Sequence, residues 1–307
     1  MNVIYPAMSL LICIAHHYQP DKIQYLYTIL DRFLNTYLMP LHIIIDSNTT
    51  EIVDILRNKY PDENNRVEVV VHSELKHPFD LTSMHRQHIY EYRDKYEYFM
   101  YVEDDMDIPY ENFTAYLDKL TFLWPHFVPS FIRIEFKDGI AYNSEHESAV
   151  PVSSQTVLFI QGRLFIKLPN PYHAFWILNR EILLSTLSKN FLQIQKSREM
   201  AASYPMWELK KPPLVELTSE LKVHPNCYSY HLPNNYTDPI WKRIPLDLLT
   251  RVVIMPPVVS PVASDLNNVG SSSDSSSILL SKSRLGTWLE SIPKINKHDE
   301  KQYYNEQ

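Results

Sequence analysis

Apolar residues in the first half of the chain fall into short and long stretches that alternate. Residues 10–15 (LLICIA), 41–45 (LHIII), 67–72 (VEVVVH) and 98–102 (YFMYV) are short apolar runs, the pattern of buried strands. Between them lie longer segments with helical spacing, 21–37 (with Asp21 near its start), 51–59 and 82–96. Strand, helix, strand, helix, strand, helix, strand is an α/β order. It predicts a mostly parallel central sheet with right-handed crossovers and flanking helices. Ligands of such sheets gather at the carboxyl ends of the strands. The polar residues expected there are His16 and His17, then Asp46 and Asn48, then the acids from Glu103 to Asp107.

The second half is less regular. Residues 113–124 read as a helix, 131–136 and 156–160 as strands, 172–178 as an aromatic segment, and 180–187 and 189–200 as helices. From residue 256 the composition turns to Pro, Val and Ser and reaches SSSDSSS, which buries too little apolar surface to order itself. One domain over 1–255 and a Ser-rich low-complexity tail over 256–307 are therefore expected. Leu285, Trp288, Leu289 and Ile292 keep helical spacing, so a short amphipathic helix is expected in that tail.

Composition narrows the function. With 307 residues and 45% hydrophobic content the chain can bury a large core. Its net charge of -7 argues against nucleic acid as a partner, since phosphate backbones are met with positive surface. The 2 cysteines support neither a disulfide framework nor a zinc knuckle. No run approaches the roughly 20 apolar residues of a membrane span. The chain has only 4 glycines, none arranged as a dinucleotide loop or P-loop, so a bound nucleotide would need a metal ion on its phosphates.

The acids after the fourth strand, in YFMYVEDDMD, supply such a site. In an extended chain Glu103, Asp105 and Asp107 would share one face and Asp104 the other. Crowded carboxylates are costly without a cation, and hard divalent ions take carboxylate and phosphate oxygens together. A strand before the acids and a helix start after them (Ile108-Pro109, then Phe113) distinguish the segment from an ordinary solvated acidic turn.

YVEDDMDIPYENFTAYL resembles the EDD form of the DXD motif in GT-A glycosyltransferases, notably the N-acetylglucosaminyltransferases that initiate complex N-glycan branching. The resemblance covers about twenty residues. It implies a GT-A fold and transfer of a sugar from a nucleotide-diphosphate donor, a UDP-sugar, to a hydroxyl on a glycan, protein or lipid acceptor. It also implies Mn2+ or Mg2+ on Asp105, with Glu103 and Asp104 on the nucleoside, and residence in the Golgi lumen. GT-A enzymes commonly add a histidine ligand from the later part of the domain. His224 and His231 are candidates, and His231 is preferred because it ends a strand-like run. His16, Asp46 and Arg86 are expected near the nucleotide sugar, Arg86 either on the diphosphate or paired with Asp104 or Asp105. Glu199 is the first choice for the general base and Glu208 the second. The alternatives are a non-catalytic GT-A-like module that binds a nucleotide sugar or glycan, and a metal-dependent phosphatase.

Overall fold

The structure is a computed structural model. It describes residues 8–63, 65–143, 157–168, 170, 172–193, 197–220 and 222–234, together with the backbone of 244–245 and 278–279. The first half runs β1 (Leu10–His16), α1 (Ile23–Thr36), β2 (Leu41–Ser47), α2 (Glu51–Lys59), β3 (Val67–Val71), α3 (His85–Tyr92) and β4 (Tyr98–Glu103). There follow β5 (Met106–Asp107), α4 (Tyr110–Leu123), β6 (Val128–Pro129), β7 (Ile132–Lys137), β8 (Ile140–Asn143), β9 (Val157–Ile160) and β10 (Arg163–Lys167). The last elements are β11 (Phe175–Asn179), α5 (Arg180–Thr186), α6 (Arg198–Leu209), β12 (Pro213–Leu217), β13 (Tyr228–His231), β14 (Ile244–Pro245) and β15 (Ile278–Leu279).

The central sheet has the order β11-β4-β1-β2-β3. β1 lies parallel to both β2 and β4, β2 is parallel to β3, and β11 closes the edge antiparallel to β4. This is the expected mixed α/β architecture with a mostly parallel core. The apolar runs of β1 and β4 are buried along almost their whole length, as strands covered on both faces must be. In α1, Leu26, Ile29, Leu30 and Phe33 are buried, an i, i+3, i+4, i+7 stripe that packs onto the sheet. Two further five-stranded sheets, β15-β9-β10-β12-β6 and β14-β8-β7-β13-β5, are built from mostly shorter strands.

Two hairpins use glycines that the alternating pattern left unexplained. Asp138 and Gly139 join β7 to β8 with φ of 52° and 77°. Gln161 and Gly162 join β9 to β10 with φ of 47° and 82°. Paired positive φ values fit the twist of a two-residue hairpin loop, and glycine adopts them without strain.

Several expected boundaries move. Residues 82–96 do not form one helix: a 3-10 turn, Pro78–Ser83, precedes α3, and α3 ends at Tyr92. His77 caps that turn by accepting from the Phe79 N–H at 3.1 Å, and this local capping diverts the chain from a single long helix. The helix expected over 189–200 begins instead at Arg198, where the Ser197 hydroxyl accepts from the Met200 N–H and sets the start. Pro205 lies inside α6, and Ser203 departs to φ -118° and ψ 25°, so the helix is kinked there. Within the stretch expected as a tail, Ile278–Leu279 pairs antiparallel with β9. The helix expected around 285–292 lies outside the described residues. Among the described residues, no helix is long and apolar enough to cross a membrane.

Candidate metal and nucleotide site

The acids sit where the strand pattern put them, at the carboxyl end of β4, but not on one shared face. The extended chain stops at Glu103, turns at Asp104 and Asp105, and resumes as β5, which pairs antiparallel with β13. The turn breaks the alternation, and each carboxylate takes a different partner. Glu103 accepts from the Tyr172 hydroxyl at 2.7 Å and pairs with Arg198 at the start of α6. Asp104 meets the His16 Nδ1 at 2.5 Å across β1. Asp105 faces the His231 Nε2 at 3.2 Å. Asp107 takes a two-pronged pair from Arg32 of α1, at 2.7 and 2.6 Å. The expected crowding of like charges is relieved because every acid has at least one donor of its own, Glu103 having two.

The register of β13 brings His231 to Asp105. His231 lies opposite Met106, and the Leu232 N–H donates to the Asp105 carbonyl at 2.9 Å, so the ladder fixes the two side chains next to each other. On its other side β13 runs parallel to β7, whose fully buried Glu135 bonds the His231 Nδ1. A carboxylate behind one ring nitrogen orients the imidazole and leaves Nε2 directed at Asp105. The Asp105 Oδ1 is buried and has no hydrogen-bond partner, and the same holds for the His16 Nε2.

The electrostatics follow. Burial pushes the Asp105 carboxyl up, but the hydrogen bond and charge of His231, with Arg133 and Arg198 behind them, hold it below the usual carboxylate range. His231 is correspondingly raised, because its bonds to Asp105 and Glu135 outweigh the effect of burial. At Asp104 burial prevails over His16, and the carboxyl is raised. Arg198 is raised by the charge of Glu103.

The remaining expected residues scatter. Asp46 is fully buried at the end of β2, in register with Ala15, which is itself in register with Glu103. Its Oδ1 is shared by His72 at 2.7 Å and His88 at 2.8 Å. Arg86 is not paired with Asp104 or Asp105. It is 1% exposed, donates to the carbonyls of Ser83 and Phe191, lies over the Tyr204 ring, and is lowered to about 10 by burial. Position 86 lies on the buried face of α3, so the guanidinium finds backbone carbonyls rather than the strand edge. His224 is half-buried and caps the 3-10 turn Pro225–Cys227, accepting from the Asn226 N–H at 3.3 Å. Glu199 stands in the first turn of α6, next to Arg198, and Glu208 accepts from the Tyr204 hydroxyl at 3.2 Å further along that helix. In the aromatic segment 172–178, His173, Phe175 and Trp176 are buried, whereas the Tyr172 hydroxyl donates to Glu103.

Arg198, Glu135, Arg32, His72 and His88 are the participants that pattern reading missed. His72 carried a usable signal, since it closes the third apolar run at the same sheet edge as Asp46. Arg198 and Glu135 reach the site only through tertiary packing, which no spacing in the chain encodes. No protein-family model matches this chain, and no curated protein matches it.

Proposed function

We propose that this protein is a metal-dependent glycosyltransferase of the GT-A type, moving a sugar from a nucleotide-diphosphate donor, a UDP-sugar, to a hydroxyl acceptor. One observation supports the reading above the others: Asp105, with a buried oxygen lacking a partner, faces a histidine held from behind by Glu135, at the carboxyl edge of a parallel sheet. A carboxylate and an oriented imidazole suit Mn2+, and Asp105 and His231 are the residues that would hold it. Bound there, the ion would supply Lewis-acid stabilisation of the departing diphosphate.

The chain's own residues account for the rest of the reading. Glu103, held by Tyr172 and Arg198, and Asp104, held by His16, border the Asp105 turn and would be the residues that orient the nucleoside. Arg198 brings positive charge to the edge where the diphosphate would lie. Glu199, one residue further on in α6, is the base of choice for the acceptor hydroxyl, ahead of Glu208.

The test is a screen of UDP-sugars for UDP release in Mn2+, comparing the native chain with Asp105→Ala. Release by the native chain and its loss in the variant are expected. Equal release from both would remove Asp105 from the site, and no release with any donor, although Mn2+ and UDP bind together, would favour a binding module.

A further inference from the structure

A second cluster of metal-ligating side chains lies outside the Asp105 site. Asp46 ends β2, His72 immediately follows β3, and His88 projects from α3, so three separate elements converge on one point. Both imidazoles direct Nε2 at the same carboxylate oxygen, at 2.7 and 2.8 Å, and all three ligand atoms lie within 4.8 Å of one another. The other oxygen, Oδ2, is buried and has no hydrogen-bond partner in a residue that is 0% exposed. One oxygen carrying two donors while its twin carries none is an uneven use of a buried carboxylate, which ordinarily spreads its hydrogen bonds.

The geometry points to a transition-metal site of the Zn2+ class on Asp46, His72 and His88, pinning the ends of β2 and β3 to α3. Two imidazole nitrogens and one carboxylate form a borderline nitrogen and oxygen set that suits Zn2+ better than Mg2+ or Ca2+. Metal bonds of about 2.1 Å at a tetrahedral angle place ligand atoms about 3.4 Å apart. The two nitrogens therefore need to withdraw by roughly 0.6 Å from their hydrogen-bond positions. His72 and His88 side chains are 22% and 12% exposed, which leaves room for that small rotation. When each imidazole binds through Nε2, its proton shifts to Nδ1 or leaves, and the two hydrogen bonds to Oδ1 give way to coordination. The site is distinct from Asp105: Ala15 stands between Asp46 and Glu103 in register, so two strand spacings, about 10 Å, separate them. It draws on none of the residues assigned to Mn2+ and does not depend on the glycosyltransferase reading.

The test uses the full chain stripped with a chelator. Zn2+ is titrated in competition with a chromophoric chelator, alongside thermal melting, for the native protein, His72→Gln, His88→Gln and Asp105→Ala. One Zn2+ per chain with a raised Tm is expected for the native protein and for Asp105→Ala. Each histidine variant should lose more than the roughly 10- to 100-fold in affinity that an outer partner is worth. Melting in excess chelator identifies any variant that fails to fold, and the other histidine variant then decides. Equal Zn2+ affinity in the native protein and the folded histidine variants would overturn the site. So would Zn2+ binding that is lost in Asp105→Ala instead, or a histidine variant that weakens UDP binding and leaves Zn2+ binding intact.

Discussion

The acids after β4 show how a residue's meaning depends on its neighbours. Four carboxylates in five positions suggested one crowded metal nest, yet three of them are engaged by Arg198 and Tyr172, by His16 and by Arg32. Asp105 is the acid that keeps a buried oxygen free of partners. Its neighbour His231 depends on Glu135 for orientation, so Glu135→Gln should weaken Mn2+ binding by about 10- to 100-fold while leaving the fold intact. Isothermal titration with Mn2+ in the presence of UDP, paired with circular dichroism, checks both halves. Asn112 illustrates the same dependence: it begins an N-x-T sequon but is 1% exposed and donates to the Tyr228 carbonyl at 2.8 Å. Folded protein incubated with oligosaccharyltransferase should therefore carry no glycan at Asn112 by mass spectrometry.

At the scale of elements, local chemistry sets starts and turns, and packing sets the rest. The Asn179 side chain caps α5 by accepting from the Ile182 N–H at 2.8 Å, so Asn179→Ala should cost about 1 kcal/mol in chemical denaturation. Gly162 stands at φ +82° with open space where a Cβ would lie. Gly162→Ala should therefore cost about 1 kcal/mol through the backbone alone, with no clash to relieve. Glu216 of β12 joins two cations, Arg163 at 2.5 Å and the buried Lys119 at 3.2 Å. Burial raises its carboxyl, but these two partners outweigh burial and leave it below its usual range. A depressed carboxylate adds stability that is present above its unfolded pKa and is lost as pH falls through the folded one. Glu216→Gln should thus destabilise the protein at pH 7 by about 3 kcal/mol or more, because Lys119 stays buried without its carboxylate. The difference from the native protein should shrink below about pH 4 in urea titrations across pH.

For the whole molecule, the alternating apolar runs were enough to read the central sheet, because buried parallel strands leave a strong mark in composition. β1, β3 and β4 fall within a residue of the expected limits, β2 runs two residues past its expected end, and the carboxyl edge carries the acids and Asp46. The antiparallel return of β11 beside β4, and the pairing of β5 with β13, were not legible. They join residues about 70 to 130 positions apart through backbone hydrogen bonds, which the residue types along one segment do not record. His231 ends a strand-like run, which the sequence shows, but what brings it to Asp105 is the register of that long-range pairing. Arg86 failed as a partner of the acids for the complementary reason: a helix has an inner face, and position 86 is on it.

The most direct test of the metal site is thermal melting with Mn2+ alone, UDP alone and both together, for the native chain and for Asp105→Ala. If Asp105 and His231 hold an ion that bridges to a nucleotide diphosphate, the native chain gains stability from the pair well beyond the sum of the two ligands, and Asp105→Ala loses that excess. The same Tm shift in both proteins, or no shift with the pair, would contradict it.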